Sequence, residues 1–209
     1  MTTIRPLKIE VNEKDLSVWV SAGVMLWDLM DYLANYVTPA APRGENSSAS
    51  QHLETLCLGY ALHAHPVHVN QTVAGTIATG SHGSSITYRT LSSHVLAVKA
   101  VLANGTSVLV FEESHPFLIK AFRVNVGRLG VVTEVKIRIF KEKLVRRSLW
   151  SAVPLDEVII RLKQAQEMYK LTGALPEWLD GTELIWMTMN STVCSIHIVL
   201  RTVYRFQIA

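Results

Sequence analysis

Apolar positions near the start of the chain first favour strands and then recur at helical spacing. Leu7–Val11 and Leu16–Val20 are rich in β-forming residues and flank the polar stretch Asn12–Asp15, which predicts a β-hairpin. Val24–Tyr36 then places apolar side chains three and four residues apart, which predicts an amphipathic helix. The positions on its apolar face are Leu26, Leu29, Met30, Leu33 and Tyr36 or Val37. The chain is therefore expected to begin with a β-β-α unit.

The middle of the chain again has the pattern of a hairpin and a strand. Val95–Ala103 and Ser107–Phe111 are apolar and flank Asn104-Gly105, a dipeptide that favours a tight hairpin turn. Val131–Phe140 alternates apolar and polar residues, as a strand with one solvated face does. The other expected elements are a helix capped by Ser114 and ending near Val124, a strand at Trp150–Val153, a helix from Pro154 to about Leu171, and a strand pair at Glu183–Met189 and Val193–Arg201. Because hairpins are frequent and βαβ alternation is absent, the predicted fold class is α+β.

Composition and charge narrow the functional classes. The chain has 209 residues, 49% of them hydrophobic, and a mean hydropathy of +0.23, which argues against disorder. The net charge is only +3, and the densest basic stretch, Lys141–Arg147, fits a solvated strand edge better than a nucleic-acid surface. Cys57 and Cys194 are far apart and have no metal or redox spacing, so both are expected to be buried thiols.

No targeting or membrane segment is indicated. The charged stretch Met1–Glu10 does not fit a signal peptide, and no run of residues is long and apolar enough to span a membrane. The default expectation is a cytoplasmic protein that does not bind nucleic acid.

Thr72–Ser85 is the segment with the most chemical information. It contains three glycines and six hydroxyl side chains in fourteen residues, and it lies inside Thr55–Tyr88, a run without Asp, Glu, Lys or Arg. Glycine lets backbone amides approach a ligand closely, and successive amides in a turn form a concave site for an anion. The segment is therefore predicted to bind a polar ligand that bears phosphate.

The segment does not match the common phosphate or hydrolase motifs. Gly75 and Gly80 have the spacing of a P-loop, but Ser81-His82 follows where Lys-Ser or Lys-Thr is required. Neither the G-x-G-x-x-G nor the G-x-S-x-G pattern occurs. A serine nucleophile at Ser81 or Ser84 stays an alternative, and it requires a histidine within hydrogen-bonding distance.

Histidines are concentrated in the same region. Five of the eight are His52, His63, His65, His68 and His82. The spacing His63-x-His65-x-x-His68 resembles a metal tripod, but the run lacks the carboxylates that usually orient metal-bound histidines. The favoured interpretation is imidazoles that line a loop or pocket, and no metal is expected.

Three stretches resemble motifs of the vanillyl-alcohol-oxidase-type flavoproteins, which have a PCMH-type FAD-binding domain. Thr72–Ser85 is similar to their second FAD-binding loop, and within them to the T-V-G-G-x-x-x-T-G-x-H-G-S-S pattern of the aldonolactone oxidases, the branch with L-gulonolactone and D-arabinonolactone oxidases. Ala74 stands where that pattern has its first glycine. Leu16–Leu29 resembles the V-x-A-G-x-x-L-x-D-L motif, and Gly127–Val135 resembles G-x-L-G-V-x-T-x-V. The three stretches occur in the family's order.

This resemblance implies FAD as the cofactor and a set of residues that contact it. The implied cofactor-binding residues are Thr72, Gly75, Thr79, Gly80, Ser81, His82, Gly83, Ser84 and Val131. The first eight would line the pyrophosphate and flavin with backbone and hydroxyl groups, and Val131 would contact the cofactor through its backbone. His82 is a candidate for proton transfer, although a cofactor or structural contact is favoured for it. No other catalytic residue is indicated.

The resemblance also implies a domain division. Residues 1–145 would form the FAD-binding domain, with a mixed sheet flanked by helices, and residues 146–209 would begin a substrate or cap domain. The family's N-terminal subdomain, whose loop grips the other side of the pyrophosphate and sometimes links flavin through a histidine, has no counterpart here. The family's C-terminal His-Trp-x-Lys segment is also absent. The chain is therefore expected to be truncated at both ends relative to the family.

By resemblance, the function is that of an FAD-dependent oxidoreductase. It would take a hydride from a carbinol carbon of a sugar lactone or polyol and pass electrons to oxygen or another acceptor, with impaired activity in this short form. The alternative is a non-catalytic flavin-domain remnant that binds nucleotide weakly or acts as an interaction module. Exposed apolar surface in such a remnant would favour self-association.

Overall fold

The chain forms two compact units, as shown by a computed structural model that describes residues 7–36, 59–142, 146–187 and 192–199. Unit 1 contains residues 1–83 and 89–142, and unit 2 contains residues 84–88 and 143–209. The backbone therefore leaves unit 1 after Gly83, forms a five-residue excursion in unit 2, and returns at Arg89. This excursion begins inside the glycine-rich segment.

Unit 1 is built on an antiparallel sheet. Its strands are β1 (Ile9–Asn12), β2 (Ser17–Ser21), β3 (Tyr60–Ala61), β4 (Val95–Val101), β5 (Ser107–Phe111), β6 (Val131–Arg138) and β7 (Phe140–Lys141). Five of them form one sheet in the order β1-β2-β6-β4-β5, and β3 pairs separately with β7. Every pairing among the described strands is antiparallel, where a mixed sheet was expected. The α+β class is confirmed.

Within the described residues of unit 1, the sheet is accompanied by helices α1 (Leu26–Ala34), α2 (Val73–Ala78) and α3 (Pro116–Arg123), with a short 3-10 helix at Leu91–His94. The apolar face predicted for α1 is confirmed, because Leu26, Leu29 and Leu33 are fully buried. These leucines share one core with valines of β2, β4 and β6 and with Phe122 of α3. Burying each such side chain stabilises the unit by about 1.5–3 kcal/mol.

Two local predictions in unit 1 need correction. The residue that caps α3 is His115, not Ser114, and Pro116 occupies the first turn. The loop between β4 and β5 is longer than the predicted two residues. The amide of Leu102 donates to the carbonyl of Thr106, and this bond closes the loop. Gly105 lies inside this turn at φ +81°, so the glycine was placed correctly although the loop length was not.

Unit 2 contains the elements predicted for the C-terminal third. They are β8 (Arg146–Pro154), α4 (Leu155–Thr172), a 3-10 helix at Glu177–Leu179, β9 (Thr182–Met187) and β10 (Thr192–Val199). The strands form an antiparallel sheet in the order β8-β10-β9. On α4, Val158 and Ala165 are buried, whereas Ile159 is 39% exposed. The predicted strand pair and its preceding helix are therefore confirmed.

Some predictions fall on parts of the chain that the structure does not describe. His52 and Cys57 lie outside the described ranges, and the side chain of Cys194 on β10 is likewise not described. Among the helices of the described ranges, none has both the length and the apolar character that crossing a membrane requires.

Candidate functional site

The glycine-rich segment begins as the capped start of helix α2. Thr72 has an extended backbone, and its Oγ1 accepts a 3.2 Å hydrogen bond from the amide of Gly75. The Thr72 carbonyl accepts from the hydroxyl of Thr76, which is fully buried. A threonine in this position satisfies an amide that the first helical turn leaves without a partner. The sequence of the segment therefore encodes a helix start.

The second glycine of the segment ends α2. Gly80 has φ +67°, a conformation that glycine adopts without strain, and its amide donates to the carbonyl of Ile77. The amide of Ser81 donates to the carbonyl of Thr76 at 3.1 Å. This pair of bonds is the Schellman arrangement. The backbone conformation at the end of α2 is therefore enough to explain a glycine at position 80, without any ligand.

Backbone hydrogen bonds bring the three motif stretches together at Ala22, a buried residue in the turn after β2. The Ala22 amide donates to the carbonyl of Thr133 on β6 at 2.8 Å, and its carbonyl accepts from the amide of Ala74 on α2 at 3.2 Å. The Val73 amide donates to the neighbouring carbonyl of Val24. Stretches of sequence that are about fifty residues apart therefore converge on one turn.

Through these contacts, the first amides of α2 already have hydrogen-bond acceptors within the protein. The amides of Val73, Ala74 and Gly75 donate to Val24, Ala22 and Thr72, respectively. An anion at the start of this helix would have to displace protein acceptors. The start of α2 therefore connects the motifs to one another. Contacts with a ligand are expected at the C-terminal end of α2 and in the residues that follow it.

Two hydroxyl groups lie at the C-terminal end of α2. Thr79 is exposed, and its Oγ1 donates to the carbonyl of Gly75 and lies 3.1 Å from the Oγ of Ser81. Each hydroxyl has one proton, so in these contacts Thr79 donates to Gly75, Ser81 donates to Thr79, and both oxygens keep accepting capacity. Thr79 and Ser81 therefore form a hydroxyl pair that can donate to a phosphate only after both hydroxyls rotate away from these acceptors.

An apolar surface lies beside this pair. A methyl group added to Gly80 would lie 3.5 Å from Cγ2 of Val124, and the amide of Val126 donates to the carbonyl of Ala78. Val124 is 50% exposed and Val126 is 66% exposed. We name these two side chains the valine surface. Val131, at the start of β6, is 60% exposed. Apolar side chains next to a few polar groups are typical of cofactor sites.

The next two residues of the segment approach another loop. His82 forms an isolated antiparallel bridge with Thr90, and a methyl group added to Gly83 would lie 2.6 Å from the carbonyl oxygen of His65. The Nδ1 atom of His82 lies 2.9 Å from the carbonyl oxygen of Gly83. Because a carbonyl only accepts, Nδ1 carries the proton in this contact, and a neutral His82 presents Nε2 as its acceptor.

This geometry does not assemble a serine nucleophile. In the described contacts, the hydroxyl of Ser81 is paired with Thr79, and the near ring nitrogen of His82 is paired with a backbone carbonyl. A serine hydrolase requires a histidine that accepts the proton of its serine.

The last residues of the segment belong to unit 2. Ser84 is exposed, and the residues that follow it bind one carboxylate oxygen of Asp180, which lies after the 3-10 helix Glu177–Leu179. Asp180 contacts the end of the segment, and sequence reasoning did not identify it. It lies 95 residues from its partner Ser85 and belongs to none of the three motifs, so no local pattern identifies it.

The three closely spaced histidines have separate contacts. The ring of His63 packs edge-on against Phe140 with ring centres 3.9 Å apart, and Nδ1 of His65 donates to the carbonyl of Pro66. His68 is exposed. Within the part of the chain that the structure describes, no three His, Cys, Asp or Glu side chains form a group that could hold a metal ion.

The fold is shared with solved oxidase structures. A xylooligosaccharide oxidase from Myceliophthora thermophila superposes with a TM-score of 0.65 and 17% identity over 91% of this chain and 36% of its own. At 17% identity, this likeness shows a shared fold.

Comparison with curated protein sequences identifies relatives with named activities. The chain is 24% identical to the D-arabinono-1,4-lactone oxidase of Kluyveromyces lactis over 190 residues, which are 90% of this chain and 28% of that protein. It is 28% identical to the L-gulono-1,4-lactone dehydrogenase of Mycobacterium tuberculosis over 113 residues, or 54% of this chain and 22% of that protein. No protein-family model matches the chain.

These comparisons confirm the resemblance to the aldonolactone oxidases and support FAD as the cofactor class. The chain spans less than a third of the length of the curated relatives it matches.

The residues present in unit 1 fit part of an FAD molecule. The hydroxyls of Thr79 and Ser81 are suited to phosphate oxygens, and the valine surface is suited to a flat apolar ring system. No Asp, Glu, Lys or Arg occurs between Thr55 and Tyr88, so this segment does not repel a diphosphate. The amides at the start of α2 do not contribute, because they are bonded within the protein.

Proposed function

We propose that this chain binds FAD through the end of the glycine-rich segment and forms part of an FAD-dependent oxidoreductase. The observation that supports the proposal is the convergence at Ala22, where backbone hydrogen bonds join all three FAD-family motifs. Three stretches that resembled the family's motifs only by chance would not be expected to lie in contact with one another. The named relatives are a lactone oxidase and a lactone dehydrogenase, which favours a sugar lactone or related polyol as the substrate class.

The proposed contacts divide by chemistry. On binding, Thr79 and Ser81 would rotate their hydroxyls away from the Gly75 carbonyl and from each other, and would donate to phosphate oxygens. Thr72 and Gly75 act by building the start of α2, Gly80 ends it, and Gly83 allows the close approach to His65. Val131 contacts the cofactor through its backbone, and the exposed residues His82 and Ser84 contact it through polar atoms.

The bound cofactor supplies the hydride acceptor. FAD held by Thr79 and Ser81 would accept the hydride of a carbinol carbon, and the hydroxyl proton of the substrate would require a base. Nε2 of His82 is an acceptor atom at the segment, because Nδ1 is paired with the carbonyl of Gly83. Oxygen or another acceptor would take up the electrons.

The domain assignment belongs to the same proposal. Residues 1–145 form the FAD-binding domain, and residues 146–209 begin the substrate domain. The change of compact unit after residue 142 supports this division.

The direct test is a fluorescence titration of the purified chain with FAD, with FMN and riboflavin as separate ligands. We expect FAD to bind with a retained visible flavin band after desalting, and FMN and riboflavin to bind more weakly because they lack the diphosphate. A colourless protein whose addition leaves flavin fluorescence unchanged would show that the proposal is wrong for this chain.

A double variant tests the location of the site. We expect Thr79→Val with Ser81→Ala to weaken FAD binding about tenfold or more, since hydrogen bonds to a charged group contribute about 1.5–3 kcal/mol each. The matched control is Thr106→Val with Ser107→Ala, which removes one threonine and one serine hydroxyl from two exposed neighbours at the start of β5. Equal affinities for the two double variants would place the site elsewhere.

One observation favours the second candidate, a non-catalytic module that binds nucleotide weakly. The amides of Val73, Ala74 and Gly75 are bonded within the protein, so the segment offers hydroxyls where a strong phosphate site offers several backbone amides. A Kd for FAD above the millimolar range, with no lactone-dependent flavin reduction, would favour this second function.

A further inference from the structure

The turn between α3 and β6 holds a valine in a backbone conformation that valine rarely adopts. Val126 has φ +49° and Gly127 has φ +71°, and the amide of Arg128 donates to the carbonyl of Asn125 at 2.9 Å. Two central residues at positive φ, closed by such a bond, are the pattern of a type I′ β-turn. Gly, Asn and Asp dominate the central positions of this turn, whereas a β-branched side chain at positive φ is strained.

Hydrogen bonds on both sides hold this conformation. Asn125 is buried, its Oδ1 accepts from the amide of Gly127 at 2.7 Å, and its Nδ2 donates to the carbonyl of Phe122 at 2.8 Å. The amide of Val126 donates to the carbonyl of Ala78, the last residue of α2. The turn is thus fixed to both α2 and α3, and a strained residue persists only where its surroundings hold it in this way.

Burial in the core does not explain a valine at this position. The side chain of Val126 is 66% exposed, so little of the strain is offset by apolar surface removed from water. Asparagine or glycine would form the same turn with less strain. Strained residues are concentrated at active sites and ligand contacts, where the strain places a group before the ligand arrives.

The exposed side chain lies in the part of unit 1 that the proposed function assigns to the cofactor. The amide of Val126 bonds to Ala78, and the proposed phosphate contacts at residues 79–81 follow directly in sequence. Val124, two residues before Val126, would lie 3.5 Å from a methyl group added to Gly80. All of these residues belong to unit 1, so their arrangement does not depend on unit 2.

We infer that the turn at residues 125–128 presents the side chain of Val126 as a preformed contact for one flat aromatic ring of the cofactor. This inference rests on the proposed function, because it concerns the same site, and it adds that the strain at Val126 is retained for binding. A side chain that is held in place before binding loses little conformational freedom when the ring arrives, which favours affinity. FAD has two such rings, flavin and adenine, and the experiment distinguishes them.

Thermal unfolding of the full chain without any ligand tests the strained turn. We expect Val126→Asn to raise the Tm by about 2–4 °C, because asparagine adopts positive φ more readily than valine. Val126→Ile keeps a β-branched side chain and is expected to melt at the wild-type Tm. A Tm of Val126→Asn at or below the wild-type value would overturn the strained turn, whatever the outcome with FAD.

The matched control is Leu109→Asn, which makes a similar change from an apolar to a polar side chain on β5, at the edge of the sheet of unit 1. Leu109 is 45% exposed and lies in regular strand backbone. We expect this variant to show no gain in Tm, because asparagine is depleted in strands. A gain as large as that of Val126→Asn would assign the effect to loss of exposed apolar surface and would overturn the role of strain.

Ligand affinity then tests the contact with a ring. We expect Val126→Asn to weaken FAD binding about tenfold, since burial of a valine side chain contributes about that much affinity. Val126→Ile should keep the wild-type affinity, and Leu109→Asn should leave it unchanged. Riboflavin and ADP, titrated separately, distinguish the two rings. A loss with riboflavin alone assigns Val126 to the flavin ring, and a loss with ADP alone assigns it to adenine.

The failures of the two proposals are distinguishable. A more stable Val126→Asn variant that binds FAD, riboflavin and ADP as the wild type does would show that the ring contact is wrong, while the proposed function would stand. A wild-type chain that binds none of the three ligands would reject the proposed function and, with it, the ring contact. The thermal unfolding result would still report on the strained turn.

Discussion

The amide nitrogen of Ala74 lies 3.2 Å from the carbonyl oxygen of Ala22 and donates a hydrogen bond to it. Ala22 lies in the middle of the first motif, and Ala74 is the position at which the second motif departs from the family's glycine. The bond uses backbone atoms only, so the departure leaves it unaffected. It joins α2 to the turn after β2 and fixes where the glycine-rich segment begins.

Replacing Ala74 by the family's glycine tests what this departure does. We expect Ala74→Gly to lower the free energy of unfolding by about 0.5–1 kcal/mol, because glycine loses more backbone entropy in a helix than alanine. Urea unfolding followed by circular dichroism measures the change. FAD affinity is expected to stay at the wild-type value, and an affinity gain of tenfold would show that a methyl group at Ala74 obstructs the ligand.

The cap of α2 leads to a second prediction. We expect Thr72→Ala to lower the free energy of unfolding by about 1 kcal/mol, since the amide of Gly75 loses its acceptor. Thr72→Ser keeps the hydroxyl and should stay within a few tenths of a kcal/mol of the wild type. Thermal unfolding of both variants checks this, and equal melting temperatures for them would contradict the capping role.

Two glycines in the turn before β6 give a matched pair. A methyl group added to Gly130, at φ +125°, would lie 2.4 Å from the carbonyl oxygen of Val101, whereas one added to Gly127, at φ +71°, would have no heavy atom within 4 Å. We expect Gly130→Ala to destabilise the chain by more than about 3 kcal/mol, because strain and a backbone clash act together. Gly127→Ala is expected to lose only about 1 kcal/mol. Urea unfolding of the two variants measures both changes, and similar losses of unfolding free energy would contradict the close approach of Gly130 to β4.

The ion pair of Asp15 with Lys136 predicts a pH dependence. Burial alone would raise the pKa of Asp15, but hydrogen bonds from Lys136 and Ser17 outweigh it, so its pKa in the folded protein is lowered. A lowered carboxyl pKa stabilises the fold above the unfolded value, near pH 4, and this contribution is lost as pH falls through the folded value. Since Asp15 is 43% exposed, we expect at most about 1 kcal/mol.

Asp15→Asn provides the comparison for this pH dependence. The wild type should exceed the variant in urea midpoint between about pH 5 and pH 7, and the two midpoints should converge below about pH 3. A difference that persists unchanged at the lowest pH would assign the stabilisation to packing instead of charge.

Strong local patterns predicted most of the elements. The apolar spacing of α1, the alternation in β6 and the turn residue Gly105 each depend on neighbours in sequence, and each was identified at nearly the right place. Helix α2 was not predicted as an element, since six residues with three small side chains show no clear periodicity. The cap of α3 was assigned to Ser114 because serine is a common cap, but the helix begins one residue later.

The candidate site was predicted as a list of residues and not as an arrangement. Gly75, Gly80 and Gly83 were expected to bring amides to a ligand, yet their contacts are with Thr72, the end of α2 and the carbonyl of His65. Composition alone cannot distinguish a glycine that approaches a ligand from one that approaches another part of the backbone. The assignment of these residues to FAD stays a prediction for the titration to test.

The sequence by itself determined the α+β class, the three motifs and the oxidase resemblance, because these depend on residue types at short spacing. Only the tertiary structure decided that the motifs meet at Ala22, that the amides at the start of α2 are already bonded, and that Asp180 holds the turn after Ser84. The physical reason is that a hydrogen bond between Asp180 and Ser85 joins residues 95 positions apart, and its formation depends on how the intervening chain folds.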